Sequence, residues 1–426
     1  MKPVKTTLFN NLRLLTIPMP NLESATITVW TKVGSRHETK KLGGISHFLE
    51  HIVFKGTKNY PTAKALSEAV DNFGGEINAG TGKEITNFYI KSRKTNIEKA
   101  FSILSDLVLH PLIKPDDIKR ERGVILSEIA MYEDTPASKV WDLFENLIFT
   151  TTHPLGRDII GTKDSVMAIN EKDFQSYRKE HYHADNMLVT VAGGVNSSQI
   201  KELADKYFST LTPKLKSTPQ KFISTQTKPQ LHFTNKKTDQ THLLVGFRTP
   251  EYHHKDRFAQ GILATILGRG MSSRLFTEVR EKRGLAYAIR TTNQYYEDTG
   301  YLVTYAGVDH PKVEDALKVI LDQYQKLTSM ETAGITKEEL KKAKEFAKGH
   351  LALSLEDTDA VNNFFGNDEL MLEVYETPAQ VYQKIDAVTS EEVIVFAKKH
   401  FTKDRLNLAF IGPQTQVAKL EKLLYP

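Results

Sequence analysis

Two periodicities of apolar residues divide the chain into short strands and longer helices. Apolar and polar residues alternate in runs such as 25–33, 86–92 and 188–194, which predicts strands. Segments of helical periodicity lie between these runs, without the regular strand–helix alternation of a parallel α/β fold. The pattern predicts an α+β fold built of α/β sandwiches, each with a mainly antiparallel sheet and helices packed on one face.

Two segments of the first half of the chain recur in the same order in the second half. Residues 113–135 resemble residues 335–358, and both segments open on Ile and close on Glu-Asp-Thr. Residues 166–194 resemble residues 385–413, where a capped helix ends in Lys-x-His and an aromatic residue before a β-rich run. Two matching blocks in the same order predict two homologous copies of one unit of roughly 200 residues.

The segment between the two copies is rich in Pro, Ser, Thr and Lys and has no helical periodicity, as expected of a linker. We therefore predict an N-terminal half at 1–210, a linker at 211–232 and a homologous C-terminal half at 233–426.

The composition excludes several classes of protein. The 426 residues include no cysteine, so a metal ion would need His, Asp or Glu ligands. The formal net charge is +5, but the basic stretches 118–122 and 339–348 carry Glu among their Lys and Arg, as solvated helix faces do, which argues against nucleic-acid binding. No apolar run is long enough to span a membrane and no signal peptide is recognisable, so we expect a soluble, cytoplasmic protein.

The stretch 43–57, GGISHFLEHIVFKGT, places two histidines and a glutamate within five residues, 47–51, of a largely apolar segment. In a helix, His47 and His51 are four residues apart and share a face, so both can bind one metal ion. Glu50 lies on the same side and can reach a metal-bound water without being a ligand. Zinc lowers the pKa of its bound water, so the motif predicts a hydrolytic zinc site with Glu50 as general base. The alternative, two core histidines without a metal, is less favourable because a glutamate is buried with them.

A third protein ligand is needed, because catalytic zinc usually has three protein ligands and a water. The candidate is Glu128, whose sequence neighbours are mostly apolar and form an unfavourable place for an unpaired carboxylate. Glu121 lies seven residues earlier on the same helix stripe. It can orient a metal ligand, although a solvated helix acid explains it nearly as well.

The second copy of the repeat lacks this polar set. The residues of the set are, in chain order, His47, Glu50, His51, Glu121 and Glu128. They align in the same order with Gly261, Ala264, Thr265, Ala343 and His350. The set therefore occurs once, which favours a functional site over a requirement of the fold.

These motifs resemble those of the pitrilysin/insulinase family of zinc metallopeptidases, the inverzincins, whose metal motif is His-x-x-Glu-His. Glu128 follows the motif at residues 47–51, and the stretch 73–92 is similar to the family's strand after the zinc helix. The stretch 272–289 resembles the family's C-terminal Arg/Tyr segment. The likeness covers nearly the whole chain. The length of the chain, one pair of halves, fits the short two-domain subgroup that includes mitochondrial processing peptidase.

The resemblance implies a role for each matching position. One zinc ion per chain would be bound by His47, His51 and Glu128, with Glu50 as the base. The residues implied in substrate binding are Asn78, Ala79 and Gly80 on an edge strand that pairs with the peptide backbone, and Arg280 and Tyr287, which hold the substrate and stabilise the oxyanion. Gly80 stands where relatives often have an aromatic residue, so the side-chain preference of relatives does not transfer.

We therefore predict a zinc-dependent endopeptidase that hydrolyses peptides or extended polypeptide segments, with the metal site in the N-terminal half. The resemblance also implies a homodimer in which the zinc half of one chain faces the second half of the other. Two alternatives remain: a non-catalytic scaffold or assembly subunit, and a peptide-binding clamp that does not hydrolyse its ligand.

Overall fold

The alternating runs form the strands of two mixed sheets. The computed structural model describes residues 2–215, 218–328, 334–413 and 417–424. The strands are β1 (Val4–Thr7), β2 (Arg13–Pro18), β3 (Ser24–Thr31), β4 (Glu76–Thr81), β5 (Thr86–Arg93), β6 (Met187–Gly193), β7 (Gln230–Asn235), β8 (Thr241–Thr249), β9 (Ala286–Tyr295), β10 (Gly300–Val308) and β11 (Leu406–Gly412). The helices are α1 (Ile45–Ile52), α2 (Ala63–Asp71), α3 (Ile97–Leu109), α4 (Pro115–Glu133), α5 (Pro136–Phe149), α6 (Lys163–Ala168), α7 (Glu171–His181), α8 (Ser197–Phe208), α9 (Arg257–Gly268), α10 (Val313–Lys326), α11 (Lys337–Ser354), α12 (Thr358–Leu372), α13 (Pro378–Ala387), α14 (Ser390–His400) and α15 (Val417–Leu424).

The chain folds into two compact units, and neither is continuous in sequence. Unit 1 consists of Met1–Ala130, Arg157–Gln220 and Ala352–Pro378, and unit 2 of Met131–Gly156, Lys221–Leu351 and Ala379–Pro426. The boundaries predicted at 1–210, 211–232 and 233–426 do not include this exchange of segments. An internal repeat shows which segments are alike, but it does not show which sheet each segment packs against.

The sheet of unit 1 has six strands in the order β1-β2-β6-β3-β5-β4. Neighbouring strands are antiparallel except β2 and β6, which are parallel. β4 lies at an edge of this sheet, and β5 is its strand neighbour within the described residues. One main-chain side of β4 is therefore not used in sheet pairing.

Helices cover both faces of the sheet in unit 1. On one face, α3 packs across β3 and β5, α8 packs against β2, and α1 packs against β4. On the other face, α12 crosses β3 and β6. Asn362 of α12 donates from Nδ2 to the Thr26 carbonyl (2.8 Å) and to Thr28 Oγ1 (3.1 Å). The polar positions of the alternating β3 run are therefore buried beneath a helix rather than exposed to water.

Unit 2 repeats this arrangement with a five-stranded sheet in the order β7-β11-β8-β10-β9. β7 and β11 are parallel, and the other pairs are antiparallel. The helix α9 packs against β9, and α5 crosses β7, β8 and β11. On α5, Glu145 Oε1 accepts hydrogen bonds from the hydroxyls of Tyr296 (2.6 Å) and Tyr301 (2.9 Å).

The predicted α+β class with two homologous sandwich halves is confirmed, with one addition. Each sheet also carries, on its second face, one helix from the other half of the sequence: α12 in unit 1 and α5 in unit 2. Within the described residues, no helix is both long enough and apolar enough to span a lipid bilayer.

Candidate metal centre

The helix α1 separates its apolar and ionisable residues onto two faces. The helical period brings its buried apolar positions together on one face; these are Ile45, Phe48, Leu49 and Ile52. His47, Glu50 and His51 are half-buried and occupy the remaining face. The helix is thus anchored in the core of unit 1 while it presents three ionisable groups outside that core.

The three ligands predicted from the sequence meet at one point. His47 Nε2 lies 3.7 Å from Glu128 Oε2, and His51 Nε2 lies 3.5 Å from the same oxygen. One ligand atom from each residue lies within 4.8 Å of the other two, and no other such group occurs in the part of the chain that the structure describes. Tetrahedral zinc with bonds near 2 Å separates its ligand atoms by about 3.3 Å, so these residues fit a zinc ion.

Glu121 contacts the predicted ligand His51 on the side away from Glu128, where a residue that orients this ligand is expected. Its Oε1 is 2.9 Å from His51 Nδ1, the ring nitrogen that faces away from Glu128. Its Oε2 is 2.5 Å from Lys55 Nζ. A carboxylate on Nδ1 fixes the ring so that the Nε2 lone pair is available to a metal.

Glu128 is less buried than its apolar sequence neighbours suggest. Its neighbour Ile125 lies in the core, whereas Val124 and Met131 on α4 are 50% and 55% exposed, so Glu128 is half-buried. Glu121 and Glu128 are two helical turns apart on α4, and both turn toward the histidines of α1. The seven-residue spacing therefore brings Glu121 to the same side of the helix as Glu128.

The protonation states of the site differ from one residue to the next. Burial, followed by the nearby His51, lowers the pKa of His47 to about 4, so this ring is neutral near pH 7. The hydrogen bond to Glu121 raises the pKa of His51 despite the opposing effect of burial. Burial raises the pKa of Glu121, but its hydrogen bonds to His51 and Lys55 outweigh this, and the pKa is lowered. Burial also raises the pKa of Glu128.

Glu50 stands between the two histidines on the same helix. Its negative charge contributes to the raised pKa of Glu128, after burial and against the effect of His51. No hydrogen bond or ion pair occupies its carboxylate among the described residues. A carboxylate in this position is available to accept a proton from a water molecule at the site.

The predicted substrate-binding residues Asn78, Ala79 and Gly80 all lie on the edge strand β4. The N–H of Ala79 donates to Asn78 Oδ1 (2.9 Å), a side-chain acceptor of its own strand. A side chain at Gly80 would meet only Asn87 Oδ1, at 3.6 Å, so the strand has space at this position. Their place at the edge agrees with the expected pairing to an extended peptide.

Arg280 and Tyr287 lie in unit 2 and contact each other. Arg280 belongs to a π-helical turn, Phe276–Glu281, and Tyr287 is the second residue of β9. The guanidinium lies over the Tyr287 ring at 5.0 Å and over the Phe276 ring at 4.8 Å. Tyr287 is 76% exposed.

The aligned positions of unit 2 have structural roles. Ala264 is fully buried in α9, and the Thr265 hydroxyl donates to the Gly261 carbonyl within the same helix (2.9 Å). Ala343 is buried, and His350 stacks on Phe346 with ring centroids 3.8 Å apart. The polar set is therefore confined to unit 1 in the described part of the chain.

Two residues of the site were not predicted from the sequence. Lys55 follows His51 by four residues, and this helical spacing was a signal that could have identified it. Glu38 lies in the loop before α1, and its carboxylate bonds to the start of that helix. No periodicity marks a loop residue of this kind.

Comparison with known proteins agrees with this geometry. Residues 13–163 match the family model described as insulinase (peptidase family M16), and residues 168–346 match the model described as peptidase M16 inactive domain. The chain is 36% identical to an uncharacterized zinc protease of Bacillus subtilis over 95% of this chain and 97% of that one. It is also 36% identical to an uncharacterized zinc protease of Mycobacterium leprae, over 99% of this chain and 94% of that one.

Solved structures show the same fold. A protease from Helicobacter pylori superposes with a TM-score of 0.91 at 28% identity, over 97% of this chain and 99% of that one. A protein from Pseudomonas fluorescens described as a peptidase M16 inactive domain superposes with a TM-score of 0.89 at 18% identity, over 97% and 99% of the two chains. The matched models and relatives together show that the chain belongs to the insulinase family of peptidases, M16.

Proposed function

We propose that this chain is a zinc-dependent endopeptidase that hydrolyses peptides or extended polypeptide segments. The observation that carries the proposal is the convergence of His47, His51 and Glu128, with Glu50 left free on the same helix face. A purely structural cluster would not require the unpaired carboxylate of Glu50 beside two histidines that already face Glu128. The relatives named zinc protease support the choice of metal.

His47, His51 and Glu128 would hold the zinc ion, and Glu121 would keep His51 in the tautomer that leaves Nε2 free. When bound, the ion would supply Lewis acidity to the attacking water and to the scissile carbonyl. Glu50 would accept the proton of that water at its carboxylate and pass it to the leaving amine. Lys55 would keep Glu121 anionic during this step by holding its second oxygen.

The substrate would bind along β4 as an added strand. Main-chain hydrogen bonds of Asn78, Ala79 and Gly80 recognise any extended sequence, as an endopeptidase of broad specificity requires. The space at Gly80 would admit a bulky substrate side chain. Most main-chain groups of a folded protein are already paired within its own structure, so peptides and unfolded segments are the expected substrates.

Arg280 and Tyr287 would hold the substrate and stabilise the oxyanion. They lie in unit 2, whereas the metal ligands lie in unit 1. We expect the active form to be a homodimer in which each complete site combines unit 1 of one chain with unit 2 of its partner. A two-fold symmetric pair of this kind makes two equal sites.

A comparison of the wild type with Glu50→Gln tests the function. Glutamine keeps the size and hydrogen bonding of Glu50 but cannot accept the proton, so zinc content should stay at one per chain while turnover of an unfolded polypeptide falls about 10²–10⁴-fold. Full turnover in Glu50→Gln would contradict the mechanism. A wild type that binds zinc and peptide without hydrolysis would indicate a clamp, and one that binds neither would indicate a scaffold subunit.

A further inference from the structure

The helix α1 begins without a cap from its own residues. Its N-cap is Gly44, at φ +90°, and a Cβ at this position would lie 2.5 Å from the Ile160 carbonyl oxygen. A residue with a side chain therefore does not fit here. The first N–H groups of the helix need acceptors from another part of the chain.

The carboxylate of Glu38 accepts hydrogen bonds from two of these groups. Its Oε2 accepts from the Gly44 N–H (2.7 Å), and its Oε1 accepts from the Ser46 N–H (2.8 Å). The Ser46 hydroxyl also lies 2.7 Å from the Tyr177 hydroxyl of α7. Ser46 directly precedes His47, so the backbone that leads into the first histidine is held by a carboxylate and by a tyrosine.

Glu38 is also held through its main chain. The residue is 5% exposed, and its main-chain carbonyl accepts a hydrogen bond from Arg157 Nη1 (3.0 Å). Lys83, at the turn after β4, donates from Nζ to the Arg157 carbonyl (2.5 Å). Burial raises the pKa of Glu38 to about 7 against the opposing effects of Ser46, Gly44 and Lys83, so an ionised carboxylate is costly here. A costly group at a helix start calls for a functional explanation.

The two histidines are held in different ways. His51 is oriented through its side chain, since Nδ1 meets Glu121. His47 Nδ1 is buried and has no hydrogen-bond partner among the described residues. The orientation of His47 therefore depends on the backbone of the first turn of α1, which Glu38 caps.

We propose that Glu38 is a positioning residue for the metal site, which fixes the first turn of α1 and through it the direction of His47. This inference rests on the proposed function where it treats His47 as a metal ligand. The capping of α1 by Glu38 can be tested without metal.

The test compares the wild type with Glu38→Gln and Glu38→Ala. In metal-free protein, hydrogen exchange of the backbone amides of α1 should be faster in Glu38→Ala and intermediate in Glu38→Gln, because the amide keeps one acceptor oxygen. Zinc affinity, measured by competition with a chelator, should fall about 10–100-fold in Glu38→Ala. The visible absorption spectrum of the cobalt-substituted protein should change, since it reports ligand geometry.

The matched control is Glu145→Gln, which removes a carboxylate that also accepts two hydrogen bonds but lies in unit 2. It should leave zinc affinity, the cobalt spectrum and the exchange of α1 as in the wild type, even where the melting temperature falls. Wild-type zinc affinity and cobalt spectrum in a folded Glu38→Ala protein would overturn the proposal. If Glu38→Ala does not fold, the same readings on Glu38→Gln decide. A wild type that binds no zinc would contradict the proposed function, whereas unchanged exchange of α1 would contradict the role of Glu38.

Discussion

His51 lies between two glutamates that act on different nitrogens of its ring. Glu121 is 2.9 Å from Nδ1, and Glu128 is 3.5 Å from Nε2. Lys55 binds the other oxygen of Glu121. Burial raises the pKa of Glu121, but its hydrogen bonds to His51 and Lys55 lower it by more, so the carboxylate stays charged. Glu121 therefore orients the His51 ring through Nδ1, and Glu128 faces Nε2 across the proposed metal position.

Removal of these two acids should have effects of different size. Glu128→Ala deletes a ligand and should abolish stoichiometric zinc binding. Glu121→Ala deletes a group that only orients a ligand, so it should weaken zinc affinity about 10–100-fold. Zinc affinities from chelator competition measure both, with Ser127→Ala on the exposed side of α4 as control. Affinities in the reverse order would exchange the two roles.

The two histidines should titrate far apart in metal-free protein. The hydrogen bond to Glu121 raises the pKa of His51 above its ordinary 6.5, and burial lowers the pKa of His47 to about 4. The raised pKa of His51 adds stability that is fully present below pH 6.5 and is lost as the pH rises through its folded-state value. On acidification His51 is therefore protonated before His47. Zinc affinity should fall over the pH range in which His51 is protonated, because zinc must displace that proton.

Proton NMR of the histidine rings measures these values. Glu121→Gln should lower the pKa of His51 and leave that of His47 nearly unchanged. A single common pKa for the two rings in the wild type would show that the hydrogen bond to Glu121 does not control His51.

At the level of secondary structure, the helical period explains which side chains within one helix could be predicted to lie together. Residues four and seven apart share a helix face in any tertiary fold, so His51 follows from His47 and Glu121 from Glu128. Glu38 could not be predicted in this way, because its contact with α1 depends on the path of a loop. The burial of Thr26 and Thr28 was also unpredictable, since α12 covers them from a distant part of the sequence.

The edge strand β4 offers a backbone test of substrate binding. Ala79→Pro removes an N–H that donates to Asn78 Oδ1 in the free protein and would donate to the peptide backbone on strand addition; an edge strand tolerates proline. The KM for an extended peptide should rise about tenfold, as expected for one lost hydrogen bond. Zinc affinity should not change.

Steady-state kinetics with a single peptide measure this effect, and Ala79→Val, which keeps the N–H, is the matched control. A wild-type KM in a folded Ala79→Pro protein would exclude strand addition at this position.

At the scale of the whole molecule, the predicted catalytic groups are divided between the two units. The metal ligands lie in unit 1, and Arg280 and Tyr287 lie in unit 2. If sites form across a homodimer, two inactive variants should complement each other. Glu50→Gln lacks the base, and the double variant Arg280→Ala, Tyr287→Phe lacks the substrate-binding pair. Each should be nearly inactive alone, and mixed dimers should recover activity at one site of the two.

Peptide turnover after co-refolding of the two variants measures the recovery, with each variant refolded alone as control. Mixed dimers that form but stay as inactive as their parents would place the complete site within one chain.

The most direct test of the account is cleavage of a mixed peptide library, read by mass spectrometry of the new termini. The zinc-loaded wild type should cut peptides at internal bonds, a chelator should abolish the cleavage, and added zinc should restore it. Glu50→Gln with a full zinc content should give no new termini above background. Cleavage that persists in Glu50→Gln, or a zinc-loaded wild type that cuts no peptide, would contradict the assignment of this chain as a zinc endopeptidase.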